Sequence, residues 1–273
     1  MLPNNLILVR GAGDLATGVI HRLWKAGFSL IILETDRPTA IRRQVSLCEA
    51  VYEGSACVEG VTARRASDLA EAEAILSAGE IPLLIDPAGS LVSEIRPKAV
   101  IDAIIAKRNL GTFRDMAPLT VALGPGFEAG VDVDYVIETC RGHNLGRVIT
   151  SGAALPNTGV PGIIAGFGAE RVIHAPATGI LHMVHDIGDY VTAGEAIALI
   201  HADEGTVPVL ATLDGLIRGL IREGFPVKKG LKIADIDPRR SEYDNCFTIS
   251  DKARCIAGSV LEVVCAHCLN PQG

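Results

Sequence analysis

Leu6-Ile7-Leu8-Val9-Arg10-Gly11-Ala12-Gly13-Asp14-Leu15-Ala16 is the stretch on which the fold turns. Leu6 to Val9 is short and apolar, the composition of a buried strand, and a glycine-rich turn follows at once. Leu15, Val19 and Leu23 then recur four apart, as on one face of a helix. A second apolar run, Leu30 to Leu33, ends on the acid Glu34. Strand, glycine turn, helix, strand and acid in this order form the dinucleotide-binding fingerprint, with Ala16 at its third small position. Gly11 permits the tight turn. Gly13 lets the backbone approach a pyrophosphate at the helix N-terminus, where free N–H groups point outward. Glu34 is placed to meet a ribose hydroxyl. Asp14 is the odd member, because an acid beside a pyrophosphate needs a capping role or a cation nearby.

Outward from this unit the alternation continues. Ser67 suits the N-cap of a helix running to about Ala78. Ile81 to Ile85 reads as a buried strand ending at Asp86-Pro87, and Pro97 suits the first turn of a helix to about Lys107. The alternation implies a doubly wound parallel sheet. Arg37, Arg42 and Arg43 read either as a solvated helix face or as ligands for a phosphate. Residues 124–162 are so rich in glycine that much of the segment reads as loop, and loops carry function more often than cores. Polar groups stand among these glycines: Glu128, Asp132, Glu138, Arg141, His143, Arg147 and Asn157. His143 is the candidate acid, base or ligand there; otherwise it holds loop backbone.

The second half carries a repeat. Ala175, Gly179, Gly188, Val191, Gly194, Ile197, Ala198 and Ile200 recur 36 residues later as Ala211, Gly215, Gly224, Val227, Gly230, Ile233, Ala234 and Ile236. Two copies are too few for a solenoid, so they imply one small β unit built from two similar halves. The pattern resembles biotinyl and lipoyl carrier domains, flattened barrels with a modified lysine in the hairpin between the halves. Here that hairpin is His201-Ala202-Asp203-Glu204-Gly205-Thr206-Val207, without lysine. The expected fold is therefore α/β: a Rossmann-like parallel sheet domain, a Gly-rich β segment and a barrel-sandwich hybrid lacking the modified lysine. The expected boundaries are 1–110, 111–168 and 169–240, with 241–273 packing back on the domains. Neither biotin nor lipoate is expected.

At 273 residues the chain exceeds the usual size of one core. A net charge of −7 argues against a nucleic-acid binder held by phosphate contacts. No stretch approaches a membrane span, and the run Leu6 to Val9 lacks the form of a signal peptide. Seven cysteines, odd in number and dispersed, read as reduced thiols of a cytoplasmic protein. No metal site is expected. His182 and His185 lie three apart and face opposite sides of a strand. Cys265-Ala266-His267-Cys268 looks like half a zinc site without an obvious other half, and reads as free thiols at an element end. A homo-oligomer stays open.

Several long stretches recur together: Val9–Gly18, Pro38–Gly54, Leu123–Phe127, Asp132–Thr139, Arg141–Ile149, the Pro156–Gly162 motif, Ile236–Arg239 and Cys246–Arg254. They resemble the YqeB-type family, accessory proteins of selenium-dependent molybdenum hydroxylase systems, from about residue 8 to about 262. The first part is also similar in fold to the nucleotide-binding domain of chaperones that deliver sulfurated molybdenum cofactor. The resemblance implies a maturation protein whose partners are a molybdenum hydroxylase or its other maturation proteins. Its small ligand would bear a nucleotide, such as the dinucleotide form of the molybdenum cofactor. The residues themselves leave two further readings: an NAD(P)-dependent oxidoreductase with His143 as proton-transfer group, and a docking module with a vestigial nucleotide fold. Gly11, Gly13, Asp14, Ala16 and Glu34 are the expected cofactor-binding residues. Arg42, Arg43, Arg141, His143, Arg147 and Asn157 are candidates for the rest of the site.

Overall fold

The structure, a computed structural model, describes residues 2–157, 159 and 162–269. Positions 158, 160 and 161 of the Pro156–Gly162 motif lie outside the described residues. The chain divides into two compact units. The first comprises Met1–Pro38, Ser46–Asn157 and Ile249–Gly273; the second comprises Thr39–Val45 and Thr158–Thr248. This replaces the four consecutive segments expected from the sequence.

The first unit is built on one nine-stranded sheet. Its strands are β1 (Leu6–Arg10), β2 (Ser29–Glu34), β3 (Ser55–Val58), β4 (Val61–Arg65), β5 (Ile81–Ile85), β6 (Ala99–Asp102) and β7 (Thr120–Leu123). After β8 (Glu128–Ala129), two more strands join it, β9 (Tyr135–Ile137) and β10 (Val148–Ile149), while β11 (Gly152–Ala153) pairs with β8 as a separate ribbon. The order in the main sheet is β10-β9-β7-β6-β1-β2-β5-β4-β3. The pairs from β4 through β9 are parallel, and both edge pairs, β3–β4 and β9–β10, are antiparallel. β1 is buried at every position, as a central strand covered on both faces requires.

The helices are α1 (Asp14–Lys25), α2 (Ala50–Glu53), α3 (Leu69–Ser77), α4 (Val92–Ile95) and α5 (Asp251–Leu269). α1 buries Ala16, Val19, Ile20 and Leu23; of the expected face Leu15, Val19 and Leu23, Leu15 is only partly buried. α3 is capped one residue later than expected. Asp68 accepts from the Glu71 N–H, and Glu71 in return accepts from the Ser67 N–H and hydroxyl. α5 packs on α1 and so belongs to the first unit.

The expected fold class is corrected. The sheet is mixed rather than purely parallel, and the Gly-rich segment is no separate layer, because it supplies β7, β9 and β10 to the main sheet. The helix expected from Pro97 to about Lys107 is instead β6, whose four residues are all buried between β1 and β7. An apolar run that short fills one sheet position and cannot complete a helix of useful length.

The second unit holds the repeat. Copy one contributes β12 (Val172–His174), β13 (Gly179–Met183), β14 (Tyr190–Val191) and β15 (Ala196–Ala202). Copy two contributes β16 (Gly205–Leu210), β17 (Gly215–Leu220), β18 (Pro226–Val227) and β19 (Lys232–Asp237). The strands form two separate four-stranded antiparallel sheets, β12-β19-β17-β14 and β16-β15-β13-β18, and not the single flattened barrel expected. Each sheet takes two inner strands from one copy and two outer strands from the other. The recurring glycines have a steric reason: a Cβ on Gly179 would run into the carbonyl oxygen of His201, and one on Gly215 into that of Asp237. Backbone bonds recur in the same register, Ala175 N–H to Leu231 O and Ala211 N–H to Glu195 O, both 2.8 Å.

Among the described residues no helix is long and apolar enough to cross a membrane.

Candidate functional site

In the first unit the strand order reverses between β1 and β6, and β2 lies on the other side of β1. Crevices outside the carboxyl ends of strands at such a point are where open α/β sheets take their ligands. The glycine turn stands there. Gly11 has φ +93°, and a Cβ on it would meet the Ala103 carbonyl oxygen at 3.0 Å, so the position demands glycine twice over. Gly13 is different. It is the N-cap of α1 in extended conformation (φ −68°, ψ −174°), makes no side-chain cap hydrogen bond, and a Cβ there would meet nothing within 4 Å. The helix N-terminus thus opens into space, where its first N–H groups lack intrahelical acceptors.

Glu34 closes the near side of the turn. Its Oε2 accepts from the Ala12 N–H at 2.8 Å and its Oε1 from the Thr35 N–H at 2.8 Å. Burial pushes this carboxyl above its usual range, against the pull of the Thr35 and Ala12 amides. A carboxylate oxygen accepts more than one hydrogen bond, so Glu34 keeps acceptor capacity for a hydroxyl. The Ala12 carbonyl accepts from the Cys48 N–H and the Thr17 hydroxyl, and Thr17 in turn accepts from the Leu47 N–H. The turn is fixed from below by these bonds.

Beneath the turn lies a buried polar cluster that the sequence reading missed. Arg10, at the end of β1, is 1% exposed. It donates to the Thr112 hydroxyl at 2.5 Å and to the Pro87 carbonyl at 2.8 Å, and lies 3.8 Å from Asp102. The Thr112 hydroxyl donates on to Asp102, whose carboxyl burial pushes up while Thr112, Ile104 and Arg10 pull down. One cation therefore ties the ends of β1 and β6 to the loops after β5 and β6. A lone arginine ending an apolar strand was the available signal.

On the β9 side, buried Glu138 accepts from the Cys140 N–H at 2.7 Å and the Leu155 N–H at 2.8 Å. Arg141 grips Asp251, the first residue of α5, with two bonds of 2.8 Å. Its neighbour Lys252 is half-buried. Burial and Arg141 hold its ammonium below the ordinary range, against Asp14, Cys140 and Glu138. Asp14 thus has a cation in its field, the condition its presence beside the turn called for. No sequence signal pointed to Lys252, since only tertiary packing brings the start of α5 to the start of α1.

The expected residues therefore divide. Gly11, Gly13, Asp14, Ala16 and Glu34 stand together at the turn, and Arg141 shares the field at Lys252. His143, Arg147 and Asn157 are exposed. Arg42 and Arg43 belong to the second unit. Arg42 donates to the carbonyls of Asn245 and Thr248, and Arg43 to the Leu220 carbonyl and Asp186. They anchor residues 39–45 within that unit.

Fold and site together define an α/β protein with a glycine turn opening at the carboxyl ends of its central strands. The chain belongs to the YqeB family. It is 52% identical over 262 residues, 96% of its length, to the Escherichia coli (strain K12) protein described as uncharacterized protein YqeB. It spans about half (47%) of the length of that relative. No family model matches the chain. Solved structures similar to it include a succinylglutamate desuccinylase/aspartoacylase from Rhodobacter sphaeroides, at 16% identity, 85% of both chains and a TM-score of 0.28. The ectoine utilization protein EutE (DoeB) from Ruegeria pomeroyi, product-bound, matches at 12% identity, 85% of both chains and a TM-score of 0.28. These scores are too low to carry an argument about the site. The Rossmann-like and barrel-sandwich expectations are withdrawn in favour of the mixed nine-stranded sheet and the two four-stranded sheets described above.

Proposed function

We propose that the chain is an accessory protein of a selenium-dependent molybdenum hydroxylase system. On this reading its first unit binds a ligand bearing a nucleotide, such as the dinucleotide form of the molybdenum cofactor. The observation that carries the binding half is Gly13: an uncapped helix N-terminus facing open space at the switch point, with Glu34 beside it. The residues present fit a nucleotide. The first-turn N–H groups of α1 would meet the pyrophosphate, Lys252 would balance its charge, and Glu34 would accept from a ribose hydroxyl. The pathway half rests on the resemblance of the long motifs to the YqeB-type family; the matched relative itself is described only as uncharacterized.

The test has two arms. Removing the chain from its host is expected to lower molybdenum hydroxylase activity while the amount of hydroxylase protein stays the same. Adding cytidine, adenosine or guanosine diphosphate to the isolated chain is expected to raise its melting temperature. A hydroxylase that stays fully active without the chain would overturn the pathway half.

The position of Glu34 at the end of β2 equally suits the ribose of NAD(P), which supports an oxidoreductase as the second reading. Mixing with reduced nicotinamide dinucleotide separates the two. A change in cofactor fluorescence supports the oxidoreductase, and none at saturating cofactor counts against it.

A further inference from the structure

In the second unit, His182 on β13 and His201 on β15 lie on neighbouring antiparallel strands. Ile180 stands opposite His201 and Leu199 opposite His182. The two histidines are therefore diagonal neighbours on one face of the sheet, within reach of each other. Their ring centroids are 4.4 Å apart, with the planes tilted by 44°. Glu223 completes the arrangement. Its Oε1 lies 2.7 Å from His182 Nδ1, and its Oε2 accepts from the Met183 N–H at 2.6 Å. The backbone amide thus fixes the carboxylate, and the carboxylate fixes the ring.

The repeat makes the pair conspicuous. Thirty-six residues on, the matching positions are Arg218 and Asp237, which form an ion pair at 3.3 Å. Where copy two sets a cation against an anion, copy one sets two tilted imidazoles side by side.

We propose that His182 and His201 form a surface site for a divalent transition-metal ion of imidazole preference, with Glu223 as the carboxylate that orients His182. A carboxylate holding one ring nitrogen fixes the tautomer and leaves the other nitrogen's lone pair for a metal. Imidazole ligands suit Ni²⁺ and Cu²⁺ among the divalent transition metals. Among the described residues no group of three or more His, Cys, Asp or Glu side chains is placed to hold a metal. The site accordingly offers two protein ligands, and water fills the remaining positions.

The experiment titrates the full, tag-free chain with Ni²⁺ by calorimetry. One ion per chain is expected. His182→Gln and His201→Gln are each expected to weaken binding at least about tenfold, and Glu223→Gln about 10–100-fold. Circular dichroism is expected to show all three variants folded, since the three side chains are exposed. The competing ligands are Cys265, His267 and Cys268 on α5, so Cys265→Ser/Cys268→Ser is expected to bind Ni²⁺ as the wild type does. Absence of stoichiometric binding, binding that survives in His182→Gln/His201→Gln, or binding lost with the two cysteines would each overturn the proposal.

Discussion

The Glu34 carboxylate accepts a hydrogen bond from the backbone N–H of Ala12 at 2.8 Å, across the near side of the glycine turn. It also accepts from its neighbour's amide, Thr35 N–H. Glu34→Ala leaves both donors without their acceptor and is expected to cost about 1–3 kcal/mol in urea unfolding. The pH dependence has a definite sign. Burial raises the Glu34 carboxyl in the folded state, so the folded chain holds that proton longer than the unfolded one. Its contribution is complete below the unfolded value of about 4.3 and is lost as pH rises through the folded value. Glu34→Gln is expected to remove that decline above the unfolded value. An unchanged slope would contradict it.

Arg10 is expected to be the most sensitive charged position of the first unit. It is fully buried and serves Thr112, Pro87 and Asp102 together. Arg10→Met strands the buried Asp102 carboxylate, and about 3–5 kcal/mol of destabilisation is expected. Arg10→Met/Asp102→Leu is expected to cost less than the sum of its single changes, because it leaves no charge unpaired. Additive losses in urea unfolding would show that the two do not act as a pair.

Asp237 in the second unit runs the opposite way to Glu34. Burial pushes its carboxyl up, but Arg239, the Arg239 amide and Arg218 outweigh burial and hold it below the usual range. Its contribution is present above the unfolded value of about 3.9 and is lost as pH falls through the lower folded value. Asp237→Asn is expected to cost about 1–3 kcal/mol at neutral pH. The gap to wild type is expected to close as the pH is lowered below the carboxylate range. Urea midpoints across that range check it.

The parts of the molecule legible in sequence are those governed by short-range rules. Leu6 to Ala16 announces strand, turn and helix because each part fits its own local geometry, and Glu34 follows at the end of the next strand. The repeat was visible because Gly179 and Gly215 each lie against a carbonyl one strand over, so both copies had to keep a glycine. Its arrangement was not visible: which copy's outer strand joins which sheet depends on long-range pairing. Pro97 misled because proline at a helix start and proline just before a buried strand look alike in sequence. The carbonyl partners of Arg42 and Arg43 were not legible, because only the fold puts those carbonyls in reach. Lys252 could not be read at all, being some 240 residues from the turn whose charge it balances.

The most direct measurement compares nucleoside diphosphate binding by the wild type and Gly13→Ser. Serine suits an N-cap and the extended backbone at this position, and a Cβ meets nothing there, so stability is expected to stay within about 0.5 kcal/mol. The added side chain fills the space through which a pyrophosphate would approach α1. With ligand at about 100 times its dissociation constant, the wild type is expected to gain about 2.7 kcal/mol and Gly13→Ser nothing. Equal gains in the two proteins, or none in the wild type with any nucleoside diphosphate or dinucleotide, would contradict a nucleotide site at the Gly11–Gly13 turn.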